Sequence, residues 1–193
     1  MTDSRQKEEN FRTTTPGVVV VMGVSGSGKT TVGDALAKRL GWRYEDGDKF
    51  HPATNVAKMS AGQPLTDEDR WPWLRAIAAE IDRLIAAGEH AVIACSALRR
   101  AYRDILVHGR GDVRIVYLFG TQPLIAERLN HRKGHFMPPG LLASQFGTLE
   151  PPTADERAVT VSIDASVEII VDEILRQLGL NPAPRGARGG SRT

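Results

Sequence analysis

The chain has 193 residues, 41% of them hydrophobic, which suits one domain with a substantial core. Lys and Arg number 25 against 23 Asp and Glu, a formal net charge of +2, too balanced for bulk charge to imply a nucleic-acid partner. No apolar run approaches the roughly 18 residues of a membrane span, Met1 to Gly17 carries no apolar leader core, and the lone cysteine, Cys95, excludes an intramolecular disulfide, so a soluble, cytoplasmic protein without membrane contact is expected.

Residues 1–15 show no hydrophobic period and read as a disordered tail. Val18 to Val21 with Met22 reads as a buried parallel strand, and Val32 to Leu40 as a helix. Between them stands Gly23-Val24-Ser25-Gly26-Ser27-Gly28-Lys29-Thr30, then Thr31, matching G-x-x-x-x-G-K-S/T at every fixed position. A strand, a glycine loop and a helix in that order make an anion site. Glycines let the backbone turn its N–H groups inward, and the helix N-terminus adds about half a positive charge. On this reading Gly23, Ser25, Gly26, Ser27, Gly28, Lys29, Thr30 and Thr31 bind a nucleoside triphosphate; Lys29 reaches the β- and γ-phosphates and the Thr30 hydroxyl ligates Mg²⁺.

Gly41 ends the helix, and Trp42 to Glu45 starts a second strand running into Asp46-Gly47-Asp48 and then His51-Pro52. Residues 53–66 read as a short helix and a turn. Thr66-Asp67-Glu68-Asp69 supplies N-cap candidates for a helix carrying Leu74, Ile77, Ala78, Ile81, Leu84 and Ile85, with Pro72 expected in its first turn and Gly88 stopping it. His90 to Cys95 is the third strand, followed by Ser96-Ala97-Leu98 and a helix to about His108. Val113 to Phe119 is the fourth strand. Thr121 caps a helix to about Asn130, and His131 to Pro139 is a basic segment broken by Gly and Pro. A helix over about 140–148, a fifth strand from Ala158 to Ile163 and a helix from Val167 to Leu178 close the domain. Strands alternating with helices predict an α/β fold with a parallel sheet covered on both faces. Residues 181–193, rich in Pro, Gly and Arg, read as a second disordered tail, so one domain spans 16–180.

Large P-loop ATPases place an Asp at the end of an apolar strand to help hold Mg²⁺, whereas here the candidate strand ends Ala94-Cys95-Ser96. A small chain with acids after its second strand and a late basic segment suits a kinase acting on a small molecule. Asp46 and Asp48, spaced i, i+2, are expected to point the same way in extended chain. One then holds a Mg²⁺-bound water and the other orients the attacking hydroxyl, taking its proton late; the alternative is a plain strand-to-loop turn. Arg128, Arg132, Lys133 and His135 suit a mobile lid over about 131–139 that neutralises charge and excludes water, against the alternative of a solvated loop. Cys95 reads as a small buried apolar residue.

Several runs together resemble the bacterial gluconokinase family, P-loop small-molecule kinases related to shikimate and nucleoside-monophosphate kinases. They are Met22 to Thr30; Asp46-Gly47-Asp48 with His51-Pro52; Lys58-Met59 through Gly62, Pro64-Leu65, Asp67, Asp69-Arg70 and Pro72-Trp73-Leu74; Cys95 to Leu98; Tyr102-Arg103-Asp104; Arg132 to Phe136; Gln145-Phe146 with Thr148-Leu149-Glu150; and Asp155-Glu156-Arg157. The likeness covers about 18–178 in order. It implies a nucleoside-monophosphate-kinase-like, five-stranded fold, commonly dimeric, converting ATP and D-gluconate into ADP and 6-phospho-D-gluconate. By the same likeness Asp48 faces the 6-hydroxyl, Asp46 lies nearer the metal, holding it through water, and Arg128 and Arg132 come from the lid.

Gluconate is a linear polyol ending in a carboxylate, so its site needs hydroxyl readers and a cation, carried here by helices over about 49–87. Arg70 is the choice for the carboxylate, since a guanidinium matches it bidentately; a surface ion pair with Asp67 or Asp69 is the alternative. His51 either bonds a sugar hydroxyl or only opens the next helix. Ser96 and Ala97, at the end of strand three, are expected to face the cleft with His135. Trp71 and Trp73 are expected to pack, and Gln145 is left undecided between substrate and nucleotide. The catalytic set is thus Lys29, Asp48, Arg128 and Arg132, with Arg128 also on the nucleotide. A kinase for another small hydroxy acid such as shikimate, or a non-catalytic nucleotide-binding protein, are the alternatives.

Overall fold

The computed structural model describes residues 15–131 and 139–182. Most of the two expected tails, and lid residues 132–138, lie outside the described residues. The valine run forms β1 (Val18–Met22), followed by α1 (Lys29–Leu40), β2 (Arg43–Asp46), a 3₁₀ turn (Gly47–Phe50), α2 (Ala53–Ser60) and α3 (Asp67–Ala86). Then come β3 (Ala91–Ala94), α4 (Arg100–Val107), β4 (Val113–Phe119), α5 (Gln122–His131), α6 (Pro139–Thr148), a 3₁₀ turn (Ala154–Glu156), β5 (Val159–Ser162) and α7 (Val167–Leu178).

The five strands form one sheet in the order β2-β3-β1-β4-β5, every neighbouring pair parallel. Val18 is in register with Ala91 on one side and Val113 on the other. Both faces of the central strand are covered, which is why it reads as unbroken valine rather than as an alternation. Val19 and Val21 pack with Val32 and Leu36 of α1 and Ile170 and Ile174 of α7. Val18, Val20 and Met22 pack on the other side with Leu74, Ile77 and Ile81 of α3 and Tyr102 and Leu106 of α4. No helix among the described residues is long and apolar enough to cross a membrane.

The predicted bounds of β1, β4 and α7 are those found, and β2, β3 and β5 shift or shorten by one or two residues. α1 begins at Lys29 rather than Val32, because Gly28 (φ 91°) turns the chain directly into the helix. At the head of α3, the Thr66 side chain accepts from the Asp69 N–H while Asp69 accepts from the Thr66 N–H, a reciprocal cap. Pro72 departs from expectation: it stands five residues beyond Asp67, past the first turn of α3. Its ring removes the N–H that would bond the Glu68 carbonyl, and Glu68 is exposed, so water can satisfy that oxygen.

Candidate active site

Because all strands run the same way, their carboxyl ends share one edge of the sheet, where open α/β folds bind ligands. The loops leaving β1, β2, β3 and β5 there line one cleft of about 1530 Å³. The loop after β1 lies in the middle, with the β2 and β3 loops on one flank and the β5 loop on the other.

In the middle, Ser25, Gly26, Gly28, Lys29, Thr30 and Thr31 face the cleft at the N-terminus of α1. Gly26 has φ 82°, and a Cβ built there would lie 2.7 Å from Leu129 Cγ of α5, so only glycine fits under that helix. The Lys29 ammonium donates to the Val24 carbonyl at 3.1 Å, curled back along its own loop. Ser27 is fully buried, as a wall of the loop rather than a cleft residue.

On the β2 flank the same-face expectation for Asp46 and Asp48 fails. β2 ends at Asp46, and Gly47–Phe50 coils into a 3₁₀ turn in which Asp46 Oδ1 accepts the Asp48 N–H at 3.0 Å. Asp46 caps the turn that projects Asp48, and both side chains still line the cleft, Asp48 with 80% of its side chain exposed. Trp73 fixes that turn from α3: its indole N–H donates to the Gly47 carbonyl at 2.7 Å. Trp73 also stacks on His51, centroids 4.2 Å apart and planes 16° apart.

His51 is held on three sides. Asn55, buried at 2% exposure, donates to the Asp69 carbonyl at 2.8 Å and places the same amide nitrogen 3.3 Å from His51 Nδ1. An NH₂ group at that position makes Nδ1 the acceptor, so Nε2 carries the proton, 3.9 Å from Asp48 Oδ1. Burial lowers the pKa of His51, with Asp48 opposing and Arg70 reinforcing the shift, so the ring is neutral near pH 7.

Arg70 also lines the cleft, its guanidinium 5.8 Å from the Tyr102 ring centroid. It does pair with Asp67, but at 3.8 Å, and that carboxylate already accepts from the Tyr102 hydroxyl and from Arg99. The ion-pair alternative therefore describes a loose tether that leaves the guanidinium at the cleft wall.

On the β3 loop, Ser96 faces the cleft and Ala97 does not. Ala97 is fully buried at φ 43°, and Leu98 lines the wall instead. The strained turn is clasped by Arg103, 1% exposed, which donates to the carbonyls of Ala97, Leu98 and Glu150 and to both oxygens of Glu156. Cys95 is buried as expected, its thiol pushed up to about 12 by burial.

On the β5 flank, Arg128 of α5 lines the cleft with Ala165, Ser166 and Val167 and donates to the Ile163 carbonyl. Arg132, Lys133, Gly134 and His135 lie outside the described residues. Gln145 of α6 reaches the phosphate loop: its Oε1 accepts the Ser25 N–H at 2.6 Å.

Residues 25–177 match the family model described as shikimate kinase. The chain is 48% identical to a gluconokinase of Gluconobacter oxydans over 83% of this chain and 90% of that one. It is 46% identical to the thermosensitive gluconokinase of Escherichia coli K12, covering 82% and 84% of the two chains. A solved gluconokinase structure from Sinorhizobium meliloti superposes with a TM-score of 0.78 at 49% identity, over 86% of this chain and 93% of that one. The chain belongs to the gluconokinase family, within the shikimate-kinase-like P-loop kinases.

Members of the gluconokinase family are phosphotransferases, and the oxygen chemistry of this cleft fits the metal such transfer uses. Thr30 in the middle and Asp46 on the β2 flank offer a hydroxyl and a carboxylate to the one cleft, and among the described residues no cluster of three or more His, Cys, Asp or Glu side chains forms a metal cage. Few protein oxygens beside a phosphate site is the pattern for Mg²⁺, which takes its remaining ligands from phosphates and water. Three residues that shape this gluconokinase-family site carried no chemical signature in the sequence: Asn55, Tyr102 and Arg103. Each acts by holding another residue; Tyr102 and Arg103 stand in one of the family-like runs, whereas Asn55 stands in none.

Proposed function

We propose that the protein transfers the γ-phosphoryl group of ATP to the 6-hydroxyl of D-gluconate, giving 6-phospho-D-gluconate and ADP. The observation that carries this reading is that the phosphate loop after β1 and Asp48 after β2 line one cleft, in a chain about half identical to named gluconokinases. With the triphosphate over the central loop, the base lies toward Arg128 and Ala165–Val167, and the acceptor toward Asp48, His51, Arg70 and Ser96.

Asp48 accepts a hydrogen bond from the 6-hydroxyl, orients it in line and takes its proton late, as the loose transition state of phosphoryl transfer requires. Lys29 leaves the Val24 carbonyl to neutralise the β- and γ-phosphates, a short swing for a flexible side chain. His51, with its proton on Nε2, donates toward Asp48 or a neighbouring sugar hydroxyl. Arg70 pairs with the gluconate carboxylate through a two-pronged contact. Arg128 serves the nucleotide more directly than the transferring group, and Arg132 and His135 are carried from the family resemblance as lid groups. Thr30 and, through water, Asp46 hold Mg²⁺, which supplies charge neutralisation between the phosphates. The family likeness further supports a homodimer, which analytical ultracentrifugation tests.

The test is a coupled ADP-release assay over gluconate, shikimate and related sugar acids. Gluconate is expected to give the highest kcat/KM. Turnover of shikimate but not gluconate would favour the second reading, which the description of the matching family model supplies; ADP release on no acceptor would sink both.

A further inference from the structure

We infer that Gln145 is part of the nucleotide site, an internal occupant of the phosphate loop that sets how tightly a triphosphate binds. The inference rests on the reading of Gly23–Thr30 as the triphosphate site. Gln145 and Ser25 stand 120 residues apart in sequence, yet the Gln145 carbonyl oxygen accepts the Ser25 N–H at 2.6 Å and both residues line the cleft.

Neither partner is adrift. The next residue of the loop, Gly26, is pressed beneath Leu129 and Ile125 of α5, so the loop holds the Ser25 N–H in a set direction. The end of α6 that presents Gln145 is tied down as well. Leu149 N–H bonds the Gln145 main-chain carbonyl at 2.9 Å, Glu150 N–H bonds the Leu98 carbonyl at 2.8 Å, and the Glu150 carboxylate accepts the Arg100 N–H at 2.7 Å. The side-chain amide is therefore delivered to the loop by an anchored helix end.

A phosphate loop binds its ligand by pointing backbone N–H groups at anionic oxygens. An amide oxygen on one of those N–H groups occupies a position of the same chemistry, with a neutral acceptor in place of a charged one. Charged acceptors bond about twice as strongly, so a triphosphate oxygen displaces Gln145, but it gains only the difference. Gln145 thereby lowers triphosphate affinity, and its removal should raise it.

That sign separates the inference from a structural role, because a residue that merely braced the loop would weaken binding when removed. The test is isothermal titration of a non-hydrolysable ATP analogue with Mg²⁺ against wild type, Gln145→Ala, Gln145→Leu and Gln145→Glu, each checked by a melting curve. Gln145→Leu keeps the bulk without the acceptor, and so covers the case in which Gln145→Ala fails to fold. Ala and Leu are expected to tighten binding by about 2- to 10-fold, the worth of one neutral hydrogen bond. Glu, isosteric but charged, is expected to weaken it by about 10-fold or more, since it holds Ser25 harder and repels the phosphates. Binding by Ala and Leu that is equal to or weaker than wild type overturns the inference. Failure of wild type to bind the analogue overturns the triphosphate reading, and the inference with it.

Discussion

The indole N–H of Trp73 donates to the Gly47 carbonyl at 2.7 Å, which ties α3 to the turn that carries Asp48. One face of the same indole stacks on His51. A single buried side chain thus positions the carboxylate and its neighbouring imidazole. Trp73→Phe keeps most of the packing but leaves the Gly47 oxygen without its donor, a loss of about 1–3 kcal/mol. The expected outcome is a melting temperature lower by roughly 2–10 °C and a reduced kcat, with affinity for nucleotide unchanged; calorimetry and steady-state kinetics check it.

The electrostatics around His51 carry a signed prediction. Burial lowers its pKa, Asp48 raises it and Arg70 lowers it. Asp48→Asn is therefore expected to move the His51 titration further down, and Arg70→Gln to move it up. NMR titration of the assigned imidazole reads both. Because the folded-state pKa lies below the unfolded one, the stability linked to this ring is present above about pH 6.5 and is lost as pH falls toward the folded value.

Arg103 and Glu156 form a buried pair, 1% and 8% exposed at their side chains. Burial alone would raise the Glu156 pKa, but the Arg103 and Thr153 hydrogen bonds overcome it and leave the pKa lowered. Its contribution is thus present above the ordinary glutamate range and lost as pH falls through the folded value. Arg103→Met strands the Glu156 charge and releases the Ala97 turn. The variant is expected to lose about 3–5 kcal/mol and to show a flatter acid limb than wild type in unfolding experiments across pH 3–7.

Lys29→Ala removes the cation meant for the β- and γ-phosphates, along with its hydrogen bond to the Val24 carbonyl of its own loop. Transfer is expected to fall by roughly 10²–10³-fold with the melting temperature within a few degrees of wild type. A large drop in the melting curve would instead mark Lys29 as structural.

The layout of the sheet was legible because local signals agreed there. β1 is a valine run flanked by glycines and buried on both faces, and α7 has a serine cap, an apolar stripe and a terminal glycine. The phosphate loop was legible because its chemistry is contiguous. The acid pair was placed correctly in the cleft but with the wrong geometry, since the two-residue period of a strand was carried one step past its end, into a turn that Asp46 itself caps. Ala97 was misread in the same way: nearness to a strand end suggested the cleft, whereas Arg103 from the following helix pulls that turn inward. The contact between Gln145 and Ser25 left no local trace at all, because it exists only once α6 is folded over the loop.

The most direct measurement is Asp48→Ala, with phosphoryl transfer to gluconate and nucleotide affinity followed in the same preparation. The Asp48 side chain is 80% exposed and lies 3.9 Å from His51 Nε2, and the N–H that holds its turn is retained in the variant, so the fold should persist. The account predicts that kcat falls by roughly 10²–10⁴-fold while the dissociation constant of an ATP analogue stays within about twofold. Transfer that continues at the wild-type rate would contradict it.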